Sequence, residues 1–343
     1  MTARLREALR FQAEACADLG SPFMQRLCTM LAERLEPGAP LTDRLFGWHG
    51  DLGPRGDSVP LRLAGALHAL KLQGHSGLAQ VYPPHKLDDE ALWNAVASAL
   101  ASEAAFIDRW IDSPPQTNEV RRAACLIAVG HLLDERFGLP LSIMELGASA
   151  GLNLSWDRFA LEAGGRRHGP EDAVLTLRPD WRGLPLPAAN PKVAERTGVD
   201  LNPVDARSEA GRLRLLAYLW PDQPERIALT EAAIGTVTAP PDRDDAIDWL
   251  AERLAPKPGL TRLVYSTIAW QYFPRAAQER GERLIRQAGA QAQLESPLAW
   301  FGMETDGQSP GAAMTLRLWP SGETLQLGRI DFHGRWIDWA GPV

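Results

Sequence analysis

The pattern of apolar and polar residues changes near residue 120. Before that point, apolar residues recur every three to four positions, as in amphipathic helices, and alternating strand-like segments are nearly absent. Ser21 followed by Pro22 is typical of a helix start, and a long helix is expected from Asp88 to Pro114. We therefore predict a helical N-terminal region over residues 1–118, which is a candidate lid or substrate cap.

From residue 119 to residue 343, short apolar runs alternate with helical patterns. The segments "LSIMEL", "TGVDLNP" and "TRLVYSTIAW" predict strands, and "GLNLSWDRFALEAGG" predicts a helix directly after the first of them. Strands that alternate with helices are typical of a mostly parallel α/β sheet. The C-terminal segment alternates apolar and polar residues around tight turns, which predicts antiparallel strands at the end of this sheet.

Composition narrows the class of partner. The formal net charge is -7 and the sequence has no Lys/Arg-rich block, so there is no strong nucleic-acid signal. Cys16, Cys28 and Cys125 are scattered, which favours buried thiols in a reducing compartment and a cytoplasmic location. No uncharged apolar run reaches the roughly 18 residues of a spanning helix, so no membrane partner is expected.

The stretch "IMELGASAGLNLSWDRF" follows the helical region and carries the first candidate site. Gly147 and Gly151 permit close backbone approach, and Ala148 and Ser149 are small. Ligands of open parallel sheets lie beyond the carboxyl ends of strands, where the strand order reverses. Glu145 repels phosphate but accepts hydrogen bonds from hydroxyl, amine or ammonium groups. The stretch therefore favours a nucleoside with an amino-acid tail, and a plain strand-to-helix turn is the structural alternative.

The same residues resemble a known motif. "ELGASAGLNL" is similar to motif I of the class I S-adenosylmethionine-dependent methyltransferases, whose pattern is roughly E/D-x-G-x-G-x-G. Glu145, Gly147 and Gly151 match the acid and the first and third glycines, and Ser149 stands where the middle glycine is expected. The resemblance implies a Rossmann-like methyltransferase fold for residues 119–343 and S-adenosylmethionine as the cofactor.

Further positions extend the resemblance. Asp200 in "TGVDLNPVD" is similar to the second-strand acid that accepts the ribose hydroxyls, and Asp245 followed by Ala246 resembles the element that meets the adenine amino group. The family usually separates the first glycines from the ribose acid by about 20 residues. An insertion near 163–194, predicted as an added hairpin, accounts for the longer spacing here.

The resemblance thus implies a set of binding residues. The residues expected to bind the cofactor are Glu145, Gly147, Ala148, Ser149, Gly151, Asn153, Asp200, Asp245 and Ala246. The substrate-side candidates, which follow or end the fourth core strand, are Tyr265, Ser266, Trp270 and Tyr272. More specifically, "ELGASAGLNLSWDRF", "GVDLNP", "LWPDQPER" and "YSTIAWQYF" together resemble a bacterial family known only as domain of unknown function 2332. That family supplies no established activity.

A methyltransferase acting on a small molecule is the function these features favour. Methyl transfer mainly requires proximity and orientation, and no residue stands out as a general base, so the catalytic residues are left unassigned. The alternative is a non-catalytic ligand-binding protein or degenerate methyltransferase, because Ser149 replaces a glycine and the fourth strand lacks the usual Asn-Pro-Pro signature. The oligomeric state is left open.

Two other classes are less favoured. A nicotinamide-dependent oxidoreductase requires a G-x-G-x-x-G/A fingerprint, which the spacing of Gly147 and Gly151 does not match. Asp242, Asp244 and Asp245 have the chemistry of ligands for a hard cation, but a solvated acidic helix start is the favoured interpretation, so no metal is expected. The tryptophans, 12 in number, are expected mostly in the core, and some of them in an aromatic pocket.

Overall fold

The computed structural model describes residues 2–54 and 56–342. The chain forms two compact units, one comprising Met1–Thr117 with Ser208–Ala228 and the other Asn118–Arg207 with Leu229–Val343. Within the described residues, no helix combines the length and apolar character needed to cross a membrane.

The regular elements follow the chain in this order. The α-helices are α1 (Thr2–Asp18), α2 (Pro22–Arg34), α3 (Pro40–Phe46), α4 (Val59–Leu72), α5 (Ser76–Val81), α6 (Asp89–Ser102), α7 (Ala104–Trp110), α8 (Ala123–Phe137), α9 (Glu209–Ala217), α10 (Pro224–Ile234), α11 (Ala246–Ala251) and α12 (Arg275–Gly289). The strands are β1 (Leu141–Leu146), β2 (Ala160–Ala163), β3 (Arg166–His168), β4 (Thr176–Leu177), β5 (Asp180–Gly183), β6 (Val193–Asp200), β7 (Asp242–Arg243), β8 (Thr261–Thr267), β9 (Leu298–Glu304), β10 (Ala312–Trp319), β11 (Thr324–Ile330) and β12 (Trp336–Trp339). Short 3₁₀ helices span Val120–Arg122, Leu152–Arg158 and Trp270–Tyr272.

The first unit is helical, and its local start signals are confirmed. Ser21 caps α2 by accepting a hydrogen bond from the Met24 amide at 3.3 Å, and Pro22 occupies the first turn. The single long helix predicted from Asp88 to Pro114 is wrong, because α6 ends at Ser102 and α7 begins two residues later. At Glu103 the backbone leaves helical geometry (φ -110°, ψ 21°), and the change of direction lets residues of both helices enter the core.

A nine-stranded sheet dominates the second unit, in the order β5-β12-β11-β10-β9-β8-β1-β6-β7. Strands β7, β6, β1, β8 and β9 pair in parallel, whereas β9 to β12 pair antiparallel and β5 joins β12 in parallel. The predicted α/β class, a mostly parallel sheet with antiparallel C-terminal strands, is confirmed. Every residue of β1 and β8 is buried, including Glu145 of β1 and Arg262 of β8, because both faces of a central parallel strand are covered.

The order of the parallel strands has a reversal. From β1 the chain passes to β6 and β7 on one side, and then to β8 and β9 on the other side. This is the order of the first five strands in a doubly wound sheet, where ligands bind beyond the carboxyl ends at the reversal. The loops that follow β1 and β8 therefore occupy the position where a ligand is expected.

The segment after the first loop differs from the predicted helix. Leu152–Arg158 is a 3₁₀ helix with a kink at Ser155, and the chain then enters β2. The reason is tertiary packing. Trp156 is buried against Gly130 of α8, where a Cβ atom would lie 2.4 Å from the Trp156 Cη2 atom. Regular helix geometry would move the Trp156 ring out of this contact.

The insertion near 163–194 does not form the predicted added hairpin. Strands β2, β3 and β4 make a small sheet in the order β3-β2-β4, and β5 pairs with β12 at the edge of the large sheet. Because β4 and β5 belong to different sheets, the segment between them links the sheets. Elsewhere, the prediction of buried cysteines is confirmed, since Cys16, Cys28 and Cys125 are free and buried.

Candidate functional site

Acidic residues mark the carboxyl ends of three neighbouring strands. Glu145 is the penultimate residue of β1, Asp200 is the last residue of β6, and Asp245 lies two residues beyond β7. Because β7, β6 and β1 are parallel neighbours, the three acids lie at one edge of the sheet. The tertiary structure thus brings together the acids that the sequence predicted for cofactor binding.

The loop after β1 is built on left-handed backbone. Gly147 and Gly151 both have φ of 73°, and Ser149 has φ of 54°. Glycine adopts this region freely, whereas a residue with a Cβ atom pays about 1–2 kcal/mol in strain. Ser149 therefore holds the backbone conformation in which glycine is least strained, and its hydroxyl is the added chemical feature.

Backbone hydrogen bonds tie this loop to β6. The amides of Gly147 and Ala148 both donate to the Val199 carbonyl at 2.9 Å. The Ser149 amide donates to Asp200 Oδ2 at 2.8 Å. These amides are used within the protein, so recognition of a polar ligand at this loop must rest largely on side chains.

The two glycines are needed for close packing as well as for backbone conformation. A Cβ atom on Gly147 would lie 2.6 Å from Ala269 Cβ, in the loop after β8. A Cβ atom on Gly151 would lie 3.2 Å from Leu154 Cδ1 and 3.3 Å from Pro241 Cγ. The close approach that each glycine permits here is an approach to the protein's own atoms.

Glu145 is the most perturbed acid at this edge. Its side chain is 2% exposed, and burial raises its pKa to about 8. The Tyr265 hydroxyl lies 3.4 Å from Glu145 Oε2 and 3.3 Å from the Asn153 carbonyl oxygen, so it donates weakly to either acceptor. Burial also raises the Tyr265 pKa well above its usual value. The Glu145 carboxyl is therefore largely protonated at neutral pH.

Unsatisfied oxygen atoms belong to two residues of the segment that follows β1, the strand of this carboxyl. Asn153 donates from Nδ2 to the Glu119 carbonyl at 3.2 Å, but its Oδ1 atom is buried without a hydrogen-bond partner. The Oγ atom of Ser149 is also buried without a partner. Buried polar atoms are nearly always hydrogen-bonded in native proteins, so orphaned oxygens indicate a water or ligand that donates to them.

The other two acids have hydrogen bonds of their own. Asp200 accepts from the Ser149 amide through Oδ2 and from the Asn202 amide through Oδ1, both at 2.8 Å. Asp245 is the N-cap of α11, and its Oδ1 atom accepts from the amides of Ile247 and Asp248. Ala246, the first residue of that helix, is buried. Asp245 thus has a structural role in addition to the role that the resemblance implies.

The substrate-side candidates separate into two groups. Tyr265 is the register partner of Glu145 and contacts it, whereas the Ser266 hydroxyl donates to Glu304 Oε1 at 2.8 Å. Trp270 packs edge-on against a tryptophan of β9, and Tyr272 is 62% exposed. Adjacent residues of a strand point to opposite faces, which explains why Tyr265 and Ser266 meet different acids.

Sequence reasoning missed Glu304, the last residue of β9. Its carboxylate accepts from Ser266 Oγ and from the amides of Ala269, Trp270 and Gln271 at 3.2, 3.1 and 3.4 Å. Burial nevertheless raises its pKa above the ordinary value, since desolvation outweighs these bonds. The signal was present, because "LAWFGME" is an apolar run that ends in an acid, as "LSIMEL" nearly does.

A cavity of about 410 Å³ borders Gly151, but the acids at the strand ends do not line it. It is lined by Leu154, Ser155 and Arg158, by Arg196, Thr197 and Gly198 of β6, and by Thr236, Val237, Thr238, Ala239, Pro240, Pro241 and Asp242. Of the residues predicted to bind the cofactor, this cavity includes Gly151. It therefore does not account for Glu145, Asp200 or Asp245.

The strand order, the reversal beside β1 and the acids at the strand ends define an α/β protein compatible with a Rossmann-like fold. Within that class the chain belongs to the bacterial family described as "Uncharacterized protein conserved in bacteria (DUF2332)", whose model matches residues 6–339. The predicted membership of that family is confirmed. No curated protein and no solved structure matches the chain significantly.

Proposed function

We propose that the carboxyl ends of β1, β6 and β7 bind S-adenosylmethionine, and that the protein transfers its methyl group to a small molecule. The observation that carries the proposal is the buried Glu145 carboxyl, accompanied by the unpartnered Asn153 Oδ1 and Ser149 Oγ atoms. These residues follow the first core strand at the point where the strand order reverses.

These oxygen atoms suit an ammonium group. Such a group carries three donors and no acceptor, and each of the three side chains offers an acceptor once Glu145 is ionised. A positive charge beside Glu145 would lower its pKa from about 8 and favour the carboxylate. Binding of an amino-acid tail is therefore expected to release a proton at neutral pH.

The neighbouring acids suit the nucleoside part. Each carboxylate oxygen accepts more than one hydrogen bond, so Asp200 retains capacity for ribose hydroxyls beyond its bonds to Ser149 and Asn202. Both capping bonds of Asp245 go to Oδ1, which leaves Oδ2 for the amino group of a purine. Strands β6 and β7 are adjacent, so the two carboxylates occupy neighbouring strand ends.

The chemistry requires little more of the chain. The bound sulfonium supplies an activated methyl group, and the residues of the site orient the donor and exclude water. Tyr265 holds its hydroxyl between Glu145 and the loop carbonyl of Asn153. That placement ties the end of β8 to the loop after β1.

Calorimetry with S-adenosylmethionine, S-adenosylhomocysteine and NADPH tests the proposal. We expect the first two to bind and NADPH not to bind. Titrations at pH 7 in two buffers of different ionisation enthalpy should show proton release for the wild type and none for Glu145→Gln. Absence of binding by both adenosyl compounds would refute the proposed site.

A pair of aspartate variants locates the nucleoside. Asp200→Ala should weaken binding by about 1–3 kcal/mol, the scale for a lost partner of a buried polar group. Asp172→Ala removes an exposed acid from the loop between β3 and β4 and should leave the affinity unchanged. Equal affinities of the two variants would remove Asp200 from the site.

One observation favours a second candidate, a protein that binds the nucleoside without turnover. Ser149 keeps the left-handed backbone of the motif's middle glycine but adds a side chain, and β8 ends in Ser266 and Thr267 without an Asn-Pro-Pro signature. Methyl-labelled S-adenosylmethionine, incubated with the protein and a panel of small acceptors, separates the candidates. Labelled product supports the enzyme, and retained donor with every acceptor supports the binding protein.

A further inference from the structure

A groove of about 210 Å³ lies on one face of the large sheet, over β9 and β10. Three cross-strand pairs form its floor, namely Trp300 with Arg317, Gly302 with Thr315, and Glu304 with Ala313. Gly302 leaves the floor open, since a Cβ atom there would meet nothing nearer than Glu304 Cγ at 3.7 Å. The groove is also lined by Trp270, which starts a 3₁₀ helix, and by Glu282 of α12.

Arg317 is the cation of this groove. Its guanidinium carbon lies 4.4 Å from the centre of the Trp300 ring, in a cation–π contact. Among the described residues, none accepts a hydrogen bond from this guanidinium or forms an ion pair with it within 4.0 Å; Glu282 acts on it only at longer range. Stacking uses the face of the guanidinium and leaves its in-plane N–H donors, which suit a planar carboxylate in a bidentate arrangement.

The acids of the groove are already engaged. Asp306 pairs with Arg329 at 2.8 Å, and Glu282 pairs with Arg286 at 2.7 Å. Glu304 accepts four hydrogen bonds from a hydroxyl and three amides. The charge in the lining without a pairing partner is therefore positive.

The Trp270 side chain, which lines the groove, is held in a defined position. Ile268 has φ of 55°, which is rare for a β-branched residue, and it starts the turn that carries Trp270. Glu304 accepts hydrogen bonds from the amides of Ala269 and Trp270 and so stabilises this turn. The Trp270 and Trp300 rings meet edge to face, with centroids 5.2 Å apart. The turn and the contact with Trp300 therefore fix the position of the Trp270 ring in the groove.

We propose that this groove binds a small organic carboxylate, with the carboxylate on Arg317 and a flat apolar body against Trp270. The groove is below the roughly 300–1,000 Å³ of pockets for drug-sized ligands, so the ligand is small. Ser266 and Trp270, two of the substrate-side candidates, line this groove, so the ligand class proposed for them is a small carboxylate. It does not depend on S-adenosylmethionine, because the groove and its unpaired cation exist in the chain alone.

Benzoate is the probe that tests the groove, and benzamide is its neutral isostere. Titrations monitored by ligand-observed NMR, without S-adenosylmethionine, should show saturable benzoate binding and at least tenfold weaker benzamide binding. Arg317→Gln should lose about tenfold or more of the benzoate affinity, the scale of a charge-assisted hydrogen bond. Arg283→Gln, which removes an exposed arginine of α12 outside the groove, is the matched control and should bind as the wild type does.

A filling variant tests the location independently of charge. Gly302→Leu should abolish benzoate binding, and its thermal unfolding shows whether the fold persists. If that variant does not fold, the comparison of Arg317→Gln with Arg283→Gln decides alone. Equal binding of benzoate and benzamide, or unchanged benzoate affinity in Arg317→Gln, would overturn the proposal. Binding of inorganic phosphate with no binding of benzoate would also overturn it, since the groove would then hold a compact anion.

Discussion

Two glutamates lie at the carboxyl ends of parallel strands on either side of β8, and Glu145 is buried whereas Glu304 is half-buried. Their hydrogen-bond surroundings are opposite. Glu304 receives four hydrogen bonds, whereas Glu145 receives one long bond from the Tyr265 hydroxyl at 3.4 Å. Burial raises the pKa of both carboxyls, and it raises that of Glu145 to about 8. The carboxyl of Glu304 is thus occupied by donors from the fold, whereas that of Glu145 has one weak donor within the part of the chain that the structure describes.

The same strand supplies both environments. Tyr265 and Ser266 are neighbours on β8, and each meets one of the two glutamates because alternate side chains point to opposite faces. The loop that follows β8 donates three amides to Glu304. Glu304 thus holds the turn that carries Trp270, whereas Glu145 accepts a hydrogen bond, among the described residues, from Tyr265 alone.

Removing the satisfied acid should have the largest effect on stability. Glu304→Ala leaves three amides and a hydroxyl without their acceptor, and each such group costs about 1–3 kcal/mol, so a loss on the order of 5 kcal/mol is expected. Urea denaturation measures the change. Glu295→Ala, which removes an exposed acid shortly before β9, is the control and should cost less than about 0.5 kcal/mol. A loss below about 1 kcal/mol for Glu304→Ala would show that its hydrogen bonds contribute little.

The pH dependence of unfolding should identify the unsatisfied acid. The pKa of Glu145 is raised from 4.5 in the unfolded chain to about 8 in the fold, so folding favours the protonated form. This contribution is fully present below pH 4.5 and is lost as the pH rises through about 8. At 1.36 kcal/mol per unit, the full loss is on the order of 5 kcal/mol.

The matched variant isolates that contribution from other titrating groups. Glu145→Gln keeps the side-chain shape but does not ionise, so its unfolding free energy should fall less than that of the wild type between about pH 5 and pH 8. Denaturant titrations at several pH values give both curves. Parallel curves for the two proteins would mean that Glu145 does not carry a raised pKa.

The smallest effect is expected at Ser149, where strain and an orphaned hydroxyl coincide. Ser149→Gly relieves the left-handed backbone at φ 54° and removes the unpartnered Oγ atom, and it also raises the entropy of the unfolded chain. The net expectation is a gain of about 0.5–1 kcal/mol. Ser149→Ala removes the hydroxyl but keeps the strain, so it separates the two contributions. Destabilisation by Ser149→Gly would show that the hydroxyl stabilises the fold.

Local features of the sequence predicted the central strands and the start of α2. Strands β1 and β8 could be recognised from their short apolar centres, Ile143 with Met144 and Leu263 with Val264, because both faces of a central strand are covered. Ser21 and Pro22 mark a helix start through contacts within one turn. The α-helix predicted after Gly151 was wrong because that segment depends on a contact between distant parts of the chain. Trp156 packs against Gly130 of α8.

The sequence by itself determined the family, the α/β class and the acids that end β1 and β6, since each depends on neighbouring residues or on a motif. Only the tertiary structure added Glu304 at the end of β9 and decided which of the strand-end glutamates has its hydrogen bonds satisfied. The donors to Glu304 lie 33 to 38 residues away along the chain, and Tyr265 lies 120 residues from Glu145. Desolvation and hydrogen-bond satisfaction depend on such distant partners, so the contrast between the two glutamates arises only when the sheet assembles.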